Sequence, residues 1–130
     1  MNPFRRIFNL DEANALLPQL EEILAQLESK HEDFRRLEDQ LFFEEMVEGT
    51  TPPELRLKAL EEALLSLEDQ IQKIRSLGCL LRHVEKGLVD FPARQEEKSI
   101  YYCWQRGEKQ IEFYHTPRGG FLERYPISHA

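Results

Sequence analysis

Cysteine, histidine and aspartate residues in the last third of the chain could carry out nucleophilic chemistry. Cys103, His115 and Asp90 would act as a thiolate, a general base and an orienting acid. The segment Gln105–Gln110 (QRGEKQ) is typical of a hairpin turn. Pairing its two ends places Cys103 opposite Glu112, on the other face of the hairpin from His115. This register disfavours a catalytic pair, and we predict no catalytic residue.

The same region offers polar residues for a binding site. We expect a small ligand or a metal ion to be held by Asp90, Glu108, His115 and Arg124. A metal would use His115 with Asp90 or Glu112, although no close pair such as HxH or HxxxH accompanies this histidine. The alternative to a ligand role is that His115 is a hydrogen-bonded histidine that only stabilises the fold.

Arginine residues next to a glycine pair could instead bind a small anion. Arg118 and Arg124 flank Gly119 and Gly120, but no glycine-rich strand-to-helix loop precedes them. These arginines could equally pair with nearby carboxylates. The residues indicate no particular cofactor.

A second candidate site lies in the middle of the chain, where exposed aromatic residues stand beside acids. The residues concerned are Phe42, Phe43, Glu44, Glu45 and Glu48. Such a tip could insert into a partner's channel or bind a divalent metal. The alternative is a solvated tip in which one phenylalanine closes the helix pair.

The elements that must position these residues begin with two helices. Apolar residues recur at alternating steps of three and four, which is typical of one apolar stripe along a helix and of a heptad seam. The first stripe contains Leu10, Ala13, Leu17, Leu20, Leu24, Leu27, His31, Phe34 and Leu41, and the second contains Leu57, Leu60, Leu64, Leu67, Ile71 and Ile74.

The ends of these helices are marked by capping and breaking residues. Asn9 and Glu12 predict a capping box, Pro18 predicts a kink, and Gly78 predicts a left-handed C-cap. The sequence GTTPP at 49–53 separates the helices, which we expect at about 10–47 and 53–77. A short connection makes the two helices antiparallel.

After Cys79 the pattern changes to short runs rich in β-branched and aromatic residues. We therefore predict the α+β class, predominantly helical: a long antiparallel two-helix coiled-coil hairpin over 10–77, with a small antiparallel β segment over 79–130 packed at its base. One domain spans 1–130, as the length suggests.

Composition excludes several classes of protein. The 24 Asp and Glu against 17 Lys and Arg give a net charge of -7, which argues against extended nucleic-acid binding. The charge is -8 over residues 1–78 and +1 over 79–130. No apolar run is long enough for a membrane span, and two cysteines without a CxxC pair predict reduced thiols in a cytoplasmic protein.

Three segments resemble a known family. FNLDEANALLPQL at 8–20, GLVDFPA at 87–93 and YYCWQRGEKQIEFYHTPRGGFLERYPI at 101–127 are similar to a family of short bacterial proteins classed as domain of unknown function 2203. The family pattern falls on Asp90, Cys103, Trp104, Gly107, Glu108, His115, Gly120, Phe121, Arg124 and Pro126. The resemblance implies no activity and no cofactor.

These patterns support three functions. The first is a non-enzymatic interaction or scaffold protein, which binds a partner or self-associates through its acidic helical hairpin. The second is a ligand- or metal-binding module in the β segment, favoured if the polar residues there converge on one pocket. The third rests on likeness of architecture to polymerase-channel transcription factors, with Glu44, Glu45 and Glu48 holding a metal.

Overall fold

The computed structural model describes residues 6–127, except the side chain of Phe121; residues 1–5 and 128–130 of the predicted domain lie outside this range. The elements in chain order are α1 (Leu10–Ala15), α2 (Leu17–Phe42), a π-helical turn (Phe43–Val47), α3 (Glu54–Ser76), β1 (Leu80–His83), β2 (Leu88–Gln95), β3 (Lys98–Gln105), β4 (Phe113–His115), a 3-10 turn (Phe121–Glu123) and β5 (Tyr125–Pro126).

The helix ends follow the capping signals. The Asn9 side chain accepts from the Glu12 backbone N–H at 2.8 Å, and the Glu12 carboxylate accepts from the Asn9 N–H at 3.0 Å, so the predicted capping box is confirmed. Gly78 ends the second long helix with a φ of +93°, and a Cβ there would lie 2.9 Å from the Cβ of Arg6. Glycine is therefore needed for both the conformation and the close approach.

Proline divides the first helix. α1 ends at Ala15 and α2 begins at Leu17, with Pro18 in the first turn of α2. Proline lacks the N–H that a continuous helix would need at this point, and it is well tolerated in a first turn. The kink predicted at Pro18 is confirmed as a break between two helices.

The strands form one antiparallel sheet in the order β1-β2-β3-β4-β5. A two-residue turn at Glu96 and Glu97, both with positive φ, joins β2 to β3. The sequence predicted the first four strands but missed β5, which has only two residues.

The register between β3 and β4 differs from the predicted one by a single residue. His115 pairs with Tyr101, and Cys103 pairs with Phe113 instead of Glu112. β3 ends at Gln105 and β4 begins at Phe113, so the connection between them is longer than the predicted turn. Within this connection, the Ile111 N–H donates to the Asn14 side chain at 2.8 Å and does not pair across the hairpin. The prediction that Cys103 and His115 lie on opposite faces was wrong, since a shift of one residue reverses the faces.

One face of the sheet packs on the base of the helices. Val89 and Phe91 of β2 and Trp104 of β3 are fully buried against apolar residues of α1 and α2. The helix residues that take part in this core are Ala13, Leu17, Leu20, Leu24 and Leu27. Burial of these large side chains supplies the main favourable free energy of folding.

The part of the helix pair beyond the sheet is less well covered. Leu57 and Leu64, both predicted in the apolar seam, are 47% and 39% exposed. Two helices without a third layer cover only one narrow stripe, so apolar residues beside that stripe stay in water. The seam prediction was therefore wrong at these two positions.

The predicted class is confirmed in its main outline: a long helix pair joined to a small antiparallel sheet, hence α+β. The predominantly helical description is met only in part, because 51% of the described residues are helical. The coiled-coil geometry stays a prediction. Within residues 6–127, no helix combines the length and the apolarity that crossing a membrane requires.

Burial of Cys79 predicts a loss of stability at alkaline pH. Burial raises the pKa of this thiol from 9.0 to about 12. The folded chain keeps a proton that the unfolded chain releases above pH 9, so the contribution is fully present below pH 9 and is lost as the pH rises. We expect the free energy of unfolding to fall by about 1.4 kcal/mol per pH unit for this thiol. Urea unfolding from pH 8 to pH 10.5 measures this slope, and Cys79→Ala should reduce it. An unchanged slope in that variant would contradict the assignment.

Candidate functional site

The second face of the sheet carries a buried polar cluster. Asp90 of β2 pairs with Cys103 of β3, and the register of β4 brings His115 to the same face. These residues are 2%, 2% and 4% exposed, respectively. Three neighbouring strands therefore place three chemically different side chains together, on the side of the sheet opposite the helices.

Asp90 is the centre of this cluster. One carboxylate oxygen, Oδ2, accepts from Arg82 Nε at 2.8 Å and lies 2.8 Å from His115 Nε2. The arginine stands on β1 and is half-exposed, with its guanidinium 5.2 Å from the ring centre of Tyr101. A buried carboxylate is expensive to desolvate unless it is paired, and here a cation and a histidine flank it.

His115 is oriented through its other ring nitrogen. Nδ1 lies 2.8 Å from the backbone oxygen of Thr116, and a carbonyl oxygen can only accept, so Nδ1 carries the proton. Nε2 is therefore directed at Asp90. The ring also stacks on Tyr101 at 5.4 Å, which limits its rotation. Neither hydrogen-bond partner of His115 is the thiol of Cys103.

Cys103 is protonated at neutral pH. Burial, and after it the negative charge of Asp90, raise the pKa of its thiol from 9.0 to about 11. Arg124 acts in the opposite direction and lowers it. A thiol with this pKa is not an activated nucleophile. The cluster therefore lacks the thiolate–histidine pair that nucleophilic catalysis requires.

Arg124 and Glu108 form a second pair beside the cluster. Arg124 Nη2 donates to both carboxylate oxygens of Glu108, at 2.9 and 3.1 Å, and to the backbone oxygen of Cys103 at 3.3 Å. The guanidinium lies 4.1 Å from the ring centre of Phe113. Glu108 also accepts from the Gln105 N–H at 2.7 Å. This pair holds the connection between β3 and β4 and the C-terminal segment together.

A pocket of about 280 Å³ opens above the polar cluster. It is lined by Arg82, Leu88, Asp90, Cys103, His115, Pro117, Gly119 and Gly120. The Asp90, Cys103 and His115 ligand atoms lie within 4.8 Å of one another. Within residues 6–127, this is the group of three such side chains whose ligand atoms lie close enough together to hold a metal ion.

The predicted binding residues fall into two adjacent groups. Asp90 and His115 are in direct contact, whereas Glu108 and Arg124 pair with each other. Glu112 is exposed and lies outside the three-residue metal group, so the structure does not bring it to the predicted metal site. Glu112 directly precedes Phe113, which pairs with Cys103, and neighbouring side chains of a strand point to opposite faces, so the Glu112 side chain points away from the cluster.

The predicted anion site is not assembled as expected. Arg118 is exposed and lines a different pocket, with Lys98 and Tyr114. Arg124 pairs with Glu108 instead of turning toward the glycine pair. The two arginines therefore do not combine at Gly119 and Gly120.

At the end of the helix pair, the predicted tip residues separate. Phe42 and Phe43 are 63% and 50% exposed, and Glu45 and Glu48 are exposed as well. Glu44 is buried and forms an ion pair with Arg56 of α3. The three acids of the predicted metal-binding tip therefore do not face the same way.

Two residues that belong to the site were not predicted as site residues from the sequence. Arg82 is not among the predicted site residues, because an arginine on a short edge strand has no distinctive pattern. Cys103 is not among the predicted binding residues, because the predicted hairpin register places it on the opposite face from His115. A bulge signal in this connection would have indicated the shifted register, but QRGEKQ carries no such signal.

The protonated state of Cys103 can be measured by alkylation in a Cys79→Ala background. We expect the rate of Cys103 alkylation by iodoacetamide to rise about tenfold per pH unit from pH 7 to pH 10. The rate should not level off near pH 9, since the pKa of this thiol is raised to about 11. Asp90→Asn removes the charge that raises this pKa, so alkylation of Cys103 should become faster at each pH. A plateau of the rate near pH 9 in the Cys79→Ala protein, or an unchanged rate after the further change Asp90→Asn, would contradict the assigned environment.

Comparison with known proteins gives one result. Neither the curated proteins nor the solved structures contain a match to the chain. A family model described as "Uncharacterized conserved protein (DUF2203)" matches residues 6–127. This match covers the helix pair, the sheet and the polar cluster, and the chain therefore belongs to the DUF2203 family.

Proposed function

We propose that this chain binds one divalent transition-metal ion, of the zinc type, between Asp90, Cys103 and His115. The observation that carries the proposal is the approach of three ligand atoms, from three adjacent strands, to within 4.8 Å of one another. A carboxylate oxygen, a thiolate sulfur and an imidazole nitrogen form a ligand set that zinc accepts.

The groups around these ligands support a metal site. Histidine ligands in proteins almost always donate their second N–H to a carbonyl or a carboxylate, and Nδ1 of His115 faces the Thr116 carbonyl in this way. Nε2 is then the nitrogen directed into the cluster. Arg82 holds the Asp90 carboxylate by a hydrogen bond, which is the usual support of a carboxylate ligand.

The distances fit a metal ion after small side-chain movements. Metal–ligand bonds of about 2.0–2.3 Å place the ligand atoms of a tetrahedral site about 3.3–3.8 Å apart. The contact of 2.8 Å between His115 and Asp90 has to open by about half an ångström. The metal ion would then lie between these two atoms, with Nε2 of His115 and Oδ2 of Asp90 as ligand atoms.

Metal binding has to displace the proton of Cys103, because thiolate is the binding form. Burial and Asp90 raise the pKa of this thiol to about 11, so proton release opposes binding at neutral pH. Three protein ligands leave a fourth position open, as in sites where zinc meets water or a ligand. The pocket is lined by all three ligand residues, so a ligand in the pocket would have access to this fourth position.

Titration with Co²⁺ tests the proposal, since cobalt replaces zinc and gives a thiolate-to-cobalt charge-transfer band. We expect one Co²⁺ per chain, with an affinity that rises about tenfold per pH unit because one proton is released. Cys103→Ser should abolish the band, and His115→Gln should weaken binding by at least about 100-fold.

Matched variants exclude non-specific binding. Cys79→Ser removes the other buried thiol, and Glu112→Gln removes the acid that the structure leaves outside the cluster. Both should keep the wild-type affinity, with circular dichroism confirming the fold. Absence of a band in the wild type, or equal binding by Cys103→Ser, would refute the proposal.

The end of the helix pair supports a second function, the binding of a protein partner. Five large apolar side chains are at least half-exposed there: Phe42, Phe43, Met46, Val47 and Leu55. Apolar residues grouped in this way usually belong to an interaction surface. Residues 38–56 contain six Asp and Glu but one Arg, and that Arg is paired with Glu44.

We infer that the partner presents an apolar cleft bordered by Lys and Arg. Acids beside exposed apolar groups favour a basic partner and repel a second copy of the same tip. This chemistry supports the predicted interaction role, with a different protein in place of self-association.

A photo-crosslinking residue at Phe43 tests this surface in the cells that make the protein. We expect adducts whose cross-linked peptides are basic and apolar, and Glu45→Lys with Glu48→Lys should lower their yield several-fold. The same probe at the exposed Gln72, at the other end of α3, is the control. Adducts only to the chain itself, or equal yields from both positions, would contradict the inference.

We further propose a reducing compartment, the cytoplasm. Both cysteines are free and buried, and a thiolate ligand has to stay reduced to bind metal.

A further inference from the structure

We propose that the open position of the metal site takes the carboxylate of a small organic acid, with Arg82 as its second contact. This inference rests on the proposed metal site and adds the class of ligand. The alternatives are a neutral ligand such as water and a larger anion. Charge, size and the surface of the pocket decide among them.

The charges of the loaded site favour a single negative charge. A divalent ion would be balanced by the carboxylate of Asp90 and the thiolate of Cys103, which leaves the charge of Arg82. Glu108 and Arg124 lie nearby but neutralise each other at 2.9 Å. Among the described residues that line the pocket, Arg82 is the one charged side chain besides the three ligands. A monoanion would therefore bring the pocket to neutrality.

The position of Arg82 suits a carboxylate beside Asp90. Its Nε donates to Asp90, and its guanidinium is half-exposed over the ring of Tyr101. The five N–H donors of a guanidinium have fixed directions, so anchoring Nε also fixes the two Nη groups. A planar oxyanion bound to the metal could accept from these groups at the rim of the pocket.

The size and the walls of the pocket select a small acid. A pocket of about 280 Å³ is below the range of about 300–1,000 Å³ that is usual for drug-sized ligands. Leu88 and Pro117 supply apolar walls, while Gly119 and Gly120 add no side chain. A short alkyl group can lie on the apolar walls, whereas a fully hydrated phosphate would leave them in contact with polar oxygens.

The test is a titration of the Co²⁺-loaded protein with propionate, followed by the visible spectrum of the metal. We expect a saturable change in the cobalt bands with propionate and none with propionamide, its neutral analogue. Arg82→Gln keeps an N–H for Asp90 but removes the charge. We therefore expect propionate affinity to fall by about tenfold or more in this variant, measured at saturating Co²⁺. Arg118→Gln, at an exposed arginine outside the pocket, should leave the affinity unchanged.

The possible outcomes separate the two proposals. No cobalt spectrum refutes the metal site itself. A cobalt spectrum that propionate does not change, or that propionamide changes equally, refutes only the carboxylate inference. Tighter binding of inorganic phosphate than of propionate would also refute it, because the apolar walls would then not select the ligand. Equal affinity in Arg82→Gln and wild type would exclude Arg82 as the second contact.

Discussion

The pairing register of β3 and β4 determines whether this chain has a site at all. With His115 opposite Tyr101, the odd-numbered residues of β3 share a face with His115, and Cys103 joins Asp90 and His115. A register one residue shorter would turn His115 toward the helices, where Phe91 and Trp104 are fully buried. Placing a polar ring in that core without a partner would be unfavourable, so the apolar face and the polar face specify the same register.

Residues outside the metal group hold this register in place. The connection between β3 and β4 is closed by contacts on both sides: Trp104 Nε1 donates to the Glu108 backbone oxygen at 2.9 Å, and Glu108 accepts from the Gln105 N–H. Arg106 joins the same connection to Glu21 of α2 at 3.4 Å. Glu108 and Arg124 are therefore best understood as positioning residues. Their pairing fixes the strand that carries Cys103, even though neither residue belongs to the metal group.

The sequence predicted the elements of this fold better than their pairing. Helix bounds could be read from the apolar period and from Asn9, Pro18 and Gly78, because each acts on its own turn of backbone. The register of the last hairpin depends on one extra residue in its connection. That residue is accommodated by a hydrogen bond from Ile111 to Asn14, which are 97 positions apart. A local pattern cannot reveal such a contact, so Asp90 and His115 were predicted as candidates while Cys103 was placed on the wrong face.

The protonation of the cluster connects its burial with its proposed use. A carboxylate, a histidine and an arginine can satisfy one another without metal, as their contacts of 2.8 Å show. The Cys103 thiol needs no charged partner, because burial and the negative charge of Asp90 raise its pKa to about 11 and so keep it neutral. The same environment that makes Cys103 a poor nucleophile slows its oxidation, since oxidation proceeds through the thiolate. A metal ion would reverse this balance, because its positive charge beside the sulfur would stabilise the thiolate. A ligand kept neutral and protected until a metal arrives is consistent with a binding site, whereas a catalytic cysteine would need the opposite environment.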